Sequence, residues 1–212
     1  MSDTSILELL RIAIPSNEVL ASGKATKFFD VNANSQNLTE ELLYAHQPVS
    51  GNIIPIYATS EKTIGKLDAD VVTEQGFNVI DGPAIIVARK GYAGRLFVVR
   101  SERFIVHEDA YPIKPKSEYL EQINLDWFAL HYSEEFQANR TSAWGIGDFP
   151  RTRFNNMEVV IPNIEFQNSI ADLYLKRKAQ IEMIKEFETN VFSEMDKSIL
   201  NKIDDDLVPN NV

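Results

Sequence analysis

A strand, a proline and a very long amphipathic pattern follow one another towards the end of this sequence. Met157 to Ile161 form a strand-like run, and no glycine or proline interrupts the chain between Pro162 and Pro209. A helix of about thirty-five residues is roughly 50 Å long, which exceeds the diameter of a small domain. Its apolar residues follow the a/d repeat that buries one narrow stripe: Ile170, Tyr174, Ile181, Ile184, Val191 and Met195. We therefore expect this stripe to pair with another chain.

The stripe is imperfect, because Arg177, Glu188 and Ser198 occupy positions within it. Such polar positions set the register of a coiled coil or weaken it. The alternative is that the pattern breaks into two helices that fold back on the preceding domain. The absence of glycine and proline favours one continuous helix over residues 163–203, with a solvated tail at 204–212.

The sequence of residues 1–162 predicts one α+β globular domain with a twisted sheet. Pro55 would keep its strand near a sheet edge or a bulge. Thr39 is a suitable N-cap for a short helix that ends near His46. Two further helices are expected at Ser5–Ala13 and Leu125–Ser133. The expected strands are Ile53–Ala58, Phe77–Ile80, Ala84–Arg89, Leu96–Arg100, Phe104–His107 and Met157–Ile161.

The net charge of −10 argues against a chain that grips DNA unaided, since basic side chains supply most non-specific affinity. The charge is unevenly distributed, however. Residues 89–103 contain one acidic residue, Glu102, and five basic residues: Arg89, Lys90, Arg95, Arg100 and Arg103. A second basic group faces only Asp148: Arg140, Arg151 and Arg153. A local positive surface on an acidic body is therefore expected.

Two segments, Arg89–Arg95 and Arg140–Arg153, combine basic side chains with glycine turns and aromatic groups. Gly91 and Gly94 would let the backbone of a hairpin approach a ligand, and guanidinium groups suit phosphate oxygens or guanine. The alternative for the hairpin is ordinary solvated surface. The alternative for the second segment is that Trp144 lies in the core and the glycines only turn the chain. The candidate DNA contacts are Arg89, Lys90, Tyr92, Arg95, Arg140, Trp144, Arg151 and Arg153, with Lys62 and Lys66 as lesser candidates in a loop after the Ile53–Ala58 strand.

No sequence motif indicates catalysis or metal binding. His46, His107 and His131 are scattered, and no pair has the i, i+4 spacing of a helical metal site. The sequence contains no phosphate-binding loop, no Gly-x-Ser-x-Gly, no Gly-x-Gly-x-x-Gly after a strand and no Asn/Asp-Pro-Pro-aromatic motif. Cysteine is absent, which fits a reducing cytoplasm, and neither an export signal nor a membrane span is expected. We expect no catalytic residue, metal or cofactor.

Three segments resemble, in order, motifs of the DNA specificity subunits of type I restriction-modification systems. Gly51–Ala58 is similar to the G-x-I-P-V-Y-S strand of their target recognition domain, and Ile85–Gly94 is similar to its I-x-I-x-R-x-G-x-x-G hairpin. Ile161–Ala171 resembles the I-P-P-L-x-E-Q-x-x-I-A signature that opens their long helices, although Asn163 and Phe166 depart from it. Order and spacing agree from about residue 50 to residue 175.

The resemblance implies a non-catalytic subunit that gives target specificity to an adenine methyltransferase and, where present, to a restriction subunit. Residues 1–162 would be the target recognition domain, and residues 163–203 the helix for dimerisation and spacing. Full-length members of that family carry two recognition domains and two long helices, whereas this chain has one of each. Two copies that paired their helices antiparallel would read a palindromic, bipartite site in double-stranded DNA.

Two other functions remain open at this point. The chain could be a protein-interaction module whose β-domain never touches nucleic acid, which suits its acidic balance. It could also be a small hydrolase or nuclease with an unrecognised site, which we rank last.

Overall fold

The computed structural model describes residues 13–31, 36, 38–45, 51–141 and 147–207, with only the backbone for 40, 44, 45 and 193–207. The strands are β1 Val19–Lys24, β2 Phe29–Val31, β3 Ile53–Tyr57, β4 Thr63–Asp68, β5 Ile80–Asp81, β6 Ala84–Ala88, β7 Leu96–Val99, β8 Arg103–Val106, β9 Ala110–Pro115 and β10 Glu158–Pro162. The helices are α1 Ala25–Phe28, α2 Glu40–Ala45, α3 Ala69–Glu74, α4 Leu125–Ala138, α5 Arg151–Asn156 and α6 Ile164–Leu207. Two 3-10 turns lie at Ser16–Glu18 and Ser117–Tyr119.

The described strands form three sheets. One four-stranded sheet has the order β2-β9-β6-β7, the other has the order β4-β3-β8-β5, and β1 pairs with β10 in a third sheet of two strands. All recorded pairs are antiparallel except β3 with β8. The α+β class and the long C-terminal helix expected from the sequence are confirmed.

Strand β6 is buried on both faces, which explains its uninterrupted apolar sequence. Ile85 and Val87 point into the largest core, with helix α4 and strand β10. Ala84 and Ile86 point the other way, against Phe104 and other residues of the second four-stranded sheet. The two larger sheets therefore pack face to face with β6 between two cores. A third core covers the far side of β3 and β8 with helices α2 and α3.

The chain divides into two compact units, residues 1–171 and 172–212. Helix α6 crosses this division, and its first two turns belong to the core of the first unit, where Ile170 and Ala171 are buried. Ile170 therefore packs within its own chain, although we expected it to pair with another chain. The division also falls later than the predicted boundary after Pro162, because these first turns are part of the domain.

Helix α6 is capped by a residue that departs from the signature. Asn163 Oδ1 accepts a hydrogen bond from Phe166 N at 2.8 Å, so Asn163 caps the helix in place of a proline. Phe166 packs against the core, which accounts for an apolar residue at that position. The fully buried Gln167 has every amide group satisfied by backbone: Asn124 N at 2.8 Å, Gln122 O at 2.7 Å and Pro162 O at 2.8 Å.

Several expected boundaries change in the structure. Phe77–Ile80 contributes only Ile80 to a strand, and helix α4 continues to Ala138, beyond the expected Ser133. Strands β1, β2, β4 and β9 and helices α1, α3 and α5 were not predicted. Helix α6 runs unbroken to Leu207, so the residues placed at the start of a tail are helical. The expected helix at Ser5–Ala13 lies almost wholly outside the described residues.

In the second unit, the described part of α6 carries a wider apolar face than the predicted narrow stripe. Leu173, Ile184, Phe187 and Val191 fall within about 60° of one another at roughly 100° per residue. Their exposed fractions run from 38% for Val191 to 69% for Phe187. Met183 and Phe192 are also exposed beside them, at 61% and 64%. The side chain of Met195 lies outside the described residues.

Candidate nucleic-acid interface

The hairpin between β6 and β7 is fixed by main-chain hydrogen bonds rather than by its side chains. Gly91 and Gly94 have φ of 65° and 88°, a left-handed backbone that glycine adopts without strain. Gly94 N donates to Ala88 O at 2.8 Å, and Arg89 N donates to Asp109 O at 2.7 Å. Ala93 of the turn is buried in the core, whereas the side chain of Tyr92 is exposed on this fixed backbone.

The hairpin also packs against the end of helix α4. A Cβ atom on Gly94 would lie 2.5 Å from the backbone carbonyl of Phe136, so glycine is required for this approach. At the start of β7, Leu96 N donates to Ser133 Oγ of the same helix at 3.0 Å. Arg140, which follows helix α4, is thereby held near the hairpin.

The second basic group meets the hairpin through residues on both sides of the 142–146 segment. Phe149 N donates to Arg89 O at 2.8 Å, and Arg89 Nε lies 3.3 Å from Asp148 Oδ1. Thr141 is bonded to Asp148, because Thr141 N and Oγ1 both donate to Asp148 O at 2.9 Å. Trp144 lies outside the described residues.

Helix α5 adds two arginines to the same region, which were expected in a loop. The Arg151 guanidinium lies 5.7 Å from the centre of the Tyr111 ring, and Arg153 Nη1 donates to Asn139 O. Tyr111 Oη donates to Phe149 O at 3.2 Å. Burial raises the pKa of Tyr111 far above its usual range, although the nearby Arg151 lowers it, so the phenol remains a donor.

Two cations of the hairpin, Lys90 and Arg95, contact Asp109 and Tyr92. Lys90 Nζ lies 3.2 Å from Asp109 Oδ1, and Asp109 N donates to His107 Nδ1 at 3.2 Å. The Arg95 guanidinium lies 5.6 Å from the centre of the Tyr92 ring, and Tyr92 is 63% exposed. A surface that presents stacked and paired cations around an exposed aromatic ring can bind phosphates and base edges.

We call this set the hairpin cluster: Arg89, Lys90, Tyr92, Arg95, Arg140, Arg151 and Arg153, with Asp109 and Asp148. Basic residues outnumber acidic ones in it, although the whole chain is acidic. The sequence identified the cations of both groups but not their contact with each other. Asp109 was missed, because nothing in the sequence relates it to a lysine in another turn.

The remaining predicted DNA contacts lie on the other large sheet. Lys66 is part of strand β4, opposite Pro55, rather than in a loop, and Lys62 precedes that strand. No hydrogen bond or ion pair recorded among the described residues joins either lysine to the hairpin cluster. In the same part of the chain no group of three His, Asp or Glu side chains could hold a metal. No helix there is long and apolar enough to cross a membrane.

Comparisons with solved structures agree with this fold. The S subunit of a type I restriction-modification system from M. genitalium superposes with a TM-score of 0.58 at 15% identity, over 81% of this chain and 42% of that one. A chain from a structure on assembly and conformational transition of the type I R-M system gives 0.61 at 13% identity, over 93% and 51%. The HsdS subunit from Thermoanaerobacter tengcongensis gives 0.52 at 11% identity, over 86% and 45%. This chain thus spans about half the length of each.

No curated protein matches the sequence. A family model does: the type I restriction modification DNA specificity domain matches residues 43–190, which is more than half of the chain. The match includes the hairpin cluster, strand β10 and much of helix α6. The chain therefore belongs to the family of type I restriction-modification DNA specificity domains.

Proposed function

We propose that this chain is a non-catalytic specificity subunit that recognises a DNA sequence for a modification methyltransferase. The observation that carries the proposal is the hairpin cluster, where two basic groups that are far apart in sequence form one surface. Arg89 and Asp148 join them directly, at 3.3 Å. Phosphate contacts from such a surface would position the protein, and contacts to base edges would select the sequence.

A single recognition domain reads one half-site, so the exposed face of α6 suggests how two readers are combined. Two copies that pair these helices antiparallel would place two hairpin clusters on one duplex. The target would then be a bipartite palindrome with a non-specific spacer. A restriction subunit would join the same complex where the system has one. The acidic remainder of the chain means that the methyltransferase would supply part of the DNA affinity.

The proposal is tested with a pool of random-sequence duplex DNA. The full chain is offered the pool alone and together with the methyltransferase subunit of its own system, and the bound DNA is sequenced. We expect the complex to enrich two inverted half-sites. Arg95→Ala should weaken binding, because it removes a cation beside the exposed Tyr92. Arg103→Ala is the matched control, since that exposed arginine lies at the opposite end of β8 from the cluster.

The two competing functions give different results. A protein-interaction module, favoured by the net charge of −10 and the exposed apolar face of α6, would bind its partner without enriching any DNA sequence. A nuclease would cleave DNA as the purified chain, in a metal-dependent manner that one carboxylate substitution abolishes. Either result would contradict our proposal.

A further inference from the structure

We propose that the turn between β8 and β9 contacts DNA beside the hairpin cluster, and that His107 of this turn contacts a base. This inference rests on the proposed function and adds one contact that neither the motifs nor the basic groups indicate. The donor is His107 Nε2. The ligand is a hydrogen-bond acceptor on the major-groove edge of a base pair in double-stranded DNA.

The sheet order places this turn beside the hairpin. Strand β9 is antiparallel to β6, with Ala110 opposite Ala88, so the residues before Ala110 lie next to those after Ala88. The main chain joins the two turns, because Arg89 N and Lys90 N both donate to Asp109 O, at 2.7 and 3.1 Å. A duplex that binds the hairpin cluster would therefore lie next to the β8–β9 turn.

The other side of the turn meets the connection between β3 and β4. Strands β3 and β8 are parallel, so both end at this edge of their sheet, and His107 N donates to Tyr57 O at 2.9 Å. Lys62 lies in the connection that follows Tyr57. The turn thus lies between the hairpin cluster and a segment that carries a further lysine.

The contacts of the His107 ring fix which nitrogen carries a proton. Asp109 N donates to Nδ1 at 3.2 Å, so Nδ1 is an acceptor and the neutral ring has its proton on Nε2. Asp109 Oδ2 also lies 3.2 Å from Nδ1, so a second proton, on Nδ1, would face that carboxylate. Nε2 is therefore a donor in either protonation state.

Nε2 is available to a ligand. No partner is recorded for it among the described residues, where the buried side-chain atoms without a partner are Trp127 Nε1 and Asn155 Oδ1. Nε2 therefore reaches the surface, although the His107 side chain as a whole is only 16% exposed. A donor on a packed ring loses less rotamer freedom on binding than the end of an exposed lysine or arginine.

The turn does not need a histidine for its own structure. Its main chain is held by Glu108 N, which donates to Gln36 O at 2.8 Å, and by Ala110 N, which donates to His107 O at 3.0 Å. An asparagine at position 107 would accept the same bond from the N–H two residues further on. What the histidine adds is the second ring nitrogen.

The local charge favours a base over a phosphate as the partner of Nε2. Lys90 Nζ lies 3.2 Å from Asp109 Oδ1, so these two charges balance, and Glu108 adds a negative charge to the turn. A carboxylate repels the phosphate backbone, whereas the edge of a base pair is neutral. In the major groove each base pair offers acceptors, among them N7 of a purine, O6 of guanine and O4 of thymine.

The test uses the same random duplex pool and the full chain in complex with its methyltransferase subunit. We compare His107→Asn and His107→Gln with the unsubstituted chain. Asparagine keeps an acceptor for Asp109 N but is too short to replace Nε2, whereas the longer glutamine places an amide donor near the Nε2 position. His131→Asn is the matched control, because that histidine lies in the middle of helix α4, stacked on Trp127. Thermal unfolding shows whether each variant remains folded.

We expect His107→Asn to lower the preference at one position of each half-site by about tenfold. Its unfolding temperature and its affinity for DNA without the motif should stay the same. His107→Gln should retain part of the preference, because it still offers a donor. His131→Asn should leave the selected motif unchanged.

Other outcomes overturn the inference. A motif that is the same for His107→Asn as for the unsubstituted complex would remove His107 from base reading, while the proposed function would stand. A uniform loss at all positions with a shallower salt dependence would make His107 a phosphate contact. Equal losses of binding in both His107 variants, together with lower unfolding temperatures, would show that the ring only supports the turn. If the unsubstituted complex selects no motif, the proposed function fails and this inference fails with it.

Discussion

At the scale of single residues, the Tyr132 hydroxyl joins helix α4 to strand β10. It donates to Val160 O at 2.8 Å and accepts from Val160 N at 2.6 Å, and the side chain is 3% exposed. We expect Tyr132→Phe to lower the free energy of unfolding by about 1–3 kcal/mol at neutral pH, because the part-buried N–H and C=O of Val160 lose a partner. Urea unfolding of the variant and the unsubstituted chain measures this difference.

The same difference should shrink at high pH. Burial raises the pKa of Tyr132 from 10.0 to about 12, so the unfolded chain releases this proton first. The stabilisation is complete below pH 10 and is lost as the pH rises towards 12. The unsubstituted chain should therefore approach the stability of Tyr132→Phe across that interval. If the difference in free energy of unfolding stays constant with pH, ionisation of the Tyr132 hydroxyl is not coupled to unfolding.

Single residues also show what the sequence could and could not predict. Gln167 was recognised from a motif, and the structure explains it by three backbone partners inside the core. Arg89 and Arg95 were chosen as candidate DNA contacts from their type and their place beside glycines, and this stays a prediction. Asp109 could not be recognised, because its pairing with Lys90 depends on the β8–β9 turn lying under the β6–β7 hairpin, which is a property of the sheet.

At the scale of elements, the contact between the hairpin and helix α4 depends on Gly94. Gly94→Ala would add both a strained left-handed backbone and a clash with Phe136. Gly91→Ala is the matched control, because Gly91 has a similar φ of 65° but no atom within 4 Å of an added Cβ. We expect both variants to lose about 1–2 kcal/mol from backbone strain, and Gly94→Ala to lose more. Urea unfolding measures the two losses, and equal losses would contradict the packing argument.

Elements with a continuous apolar run were predicted well, and elements whose stability comes from neighbours were not. Strand β9 was missed because it contains Pro112 and Pro115. Both prolines fit in the strand because each has a paired strand on one side only: Pro112 is paired with β6, and Pro115 with β2. Strand β3 is similar, since its pairing with β8 begins after Pro55, at Ile56. Each proline thus has an unpaired side, which only the sheet order reveals.

At the scale of the whole molecule, the exposed apolar face of α6 predicts self-association. Phe187→Glu should convert a dimer into a monomer, because it places a charge on that face. Thr189→Glu is the control, since it adds the same charge about 160° around the helix from Phe187. Light scattering at low micromolar concentration gives the mass of each. A monomeric unsubstituted chain, or equal effects of both variants, would contradict helix pairing.

The sequence predicted the α+β class and the long C-terminal helix because burial patterns are local. It underestimated the apolar face of α6, since a narrow a/d stripe omits Leu173, Met183, Phe187 and Phe192. It also assigned Ile170 to a partner, whereas the core of the first unit takes it. Sequence periodicity shows that a helix has an apolar side, but the structure decides which part of that side the domain itself covers.

The main-chain anchoring of the β6–β7 hairpin has an evolutionary consequence. Arg89, Lys90 and Phe149 are held through backbone N–H groups, which every residue except proline possesses. The side chains at positions 90, 92 and 95, which the hairpin motif leaves open, could therefore be exchanged with little loss of stability. If the hairpin cluster contacts DNA as proposed, a few substitutions at this one turn would change the target sequence while the rest of the protein stays the same.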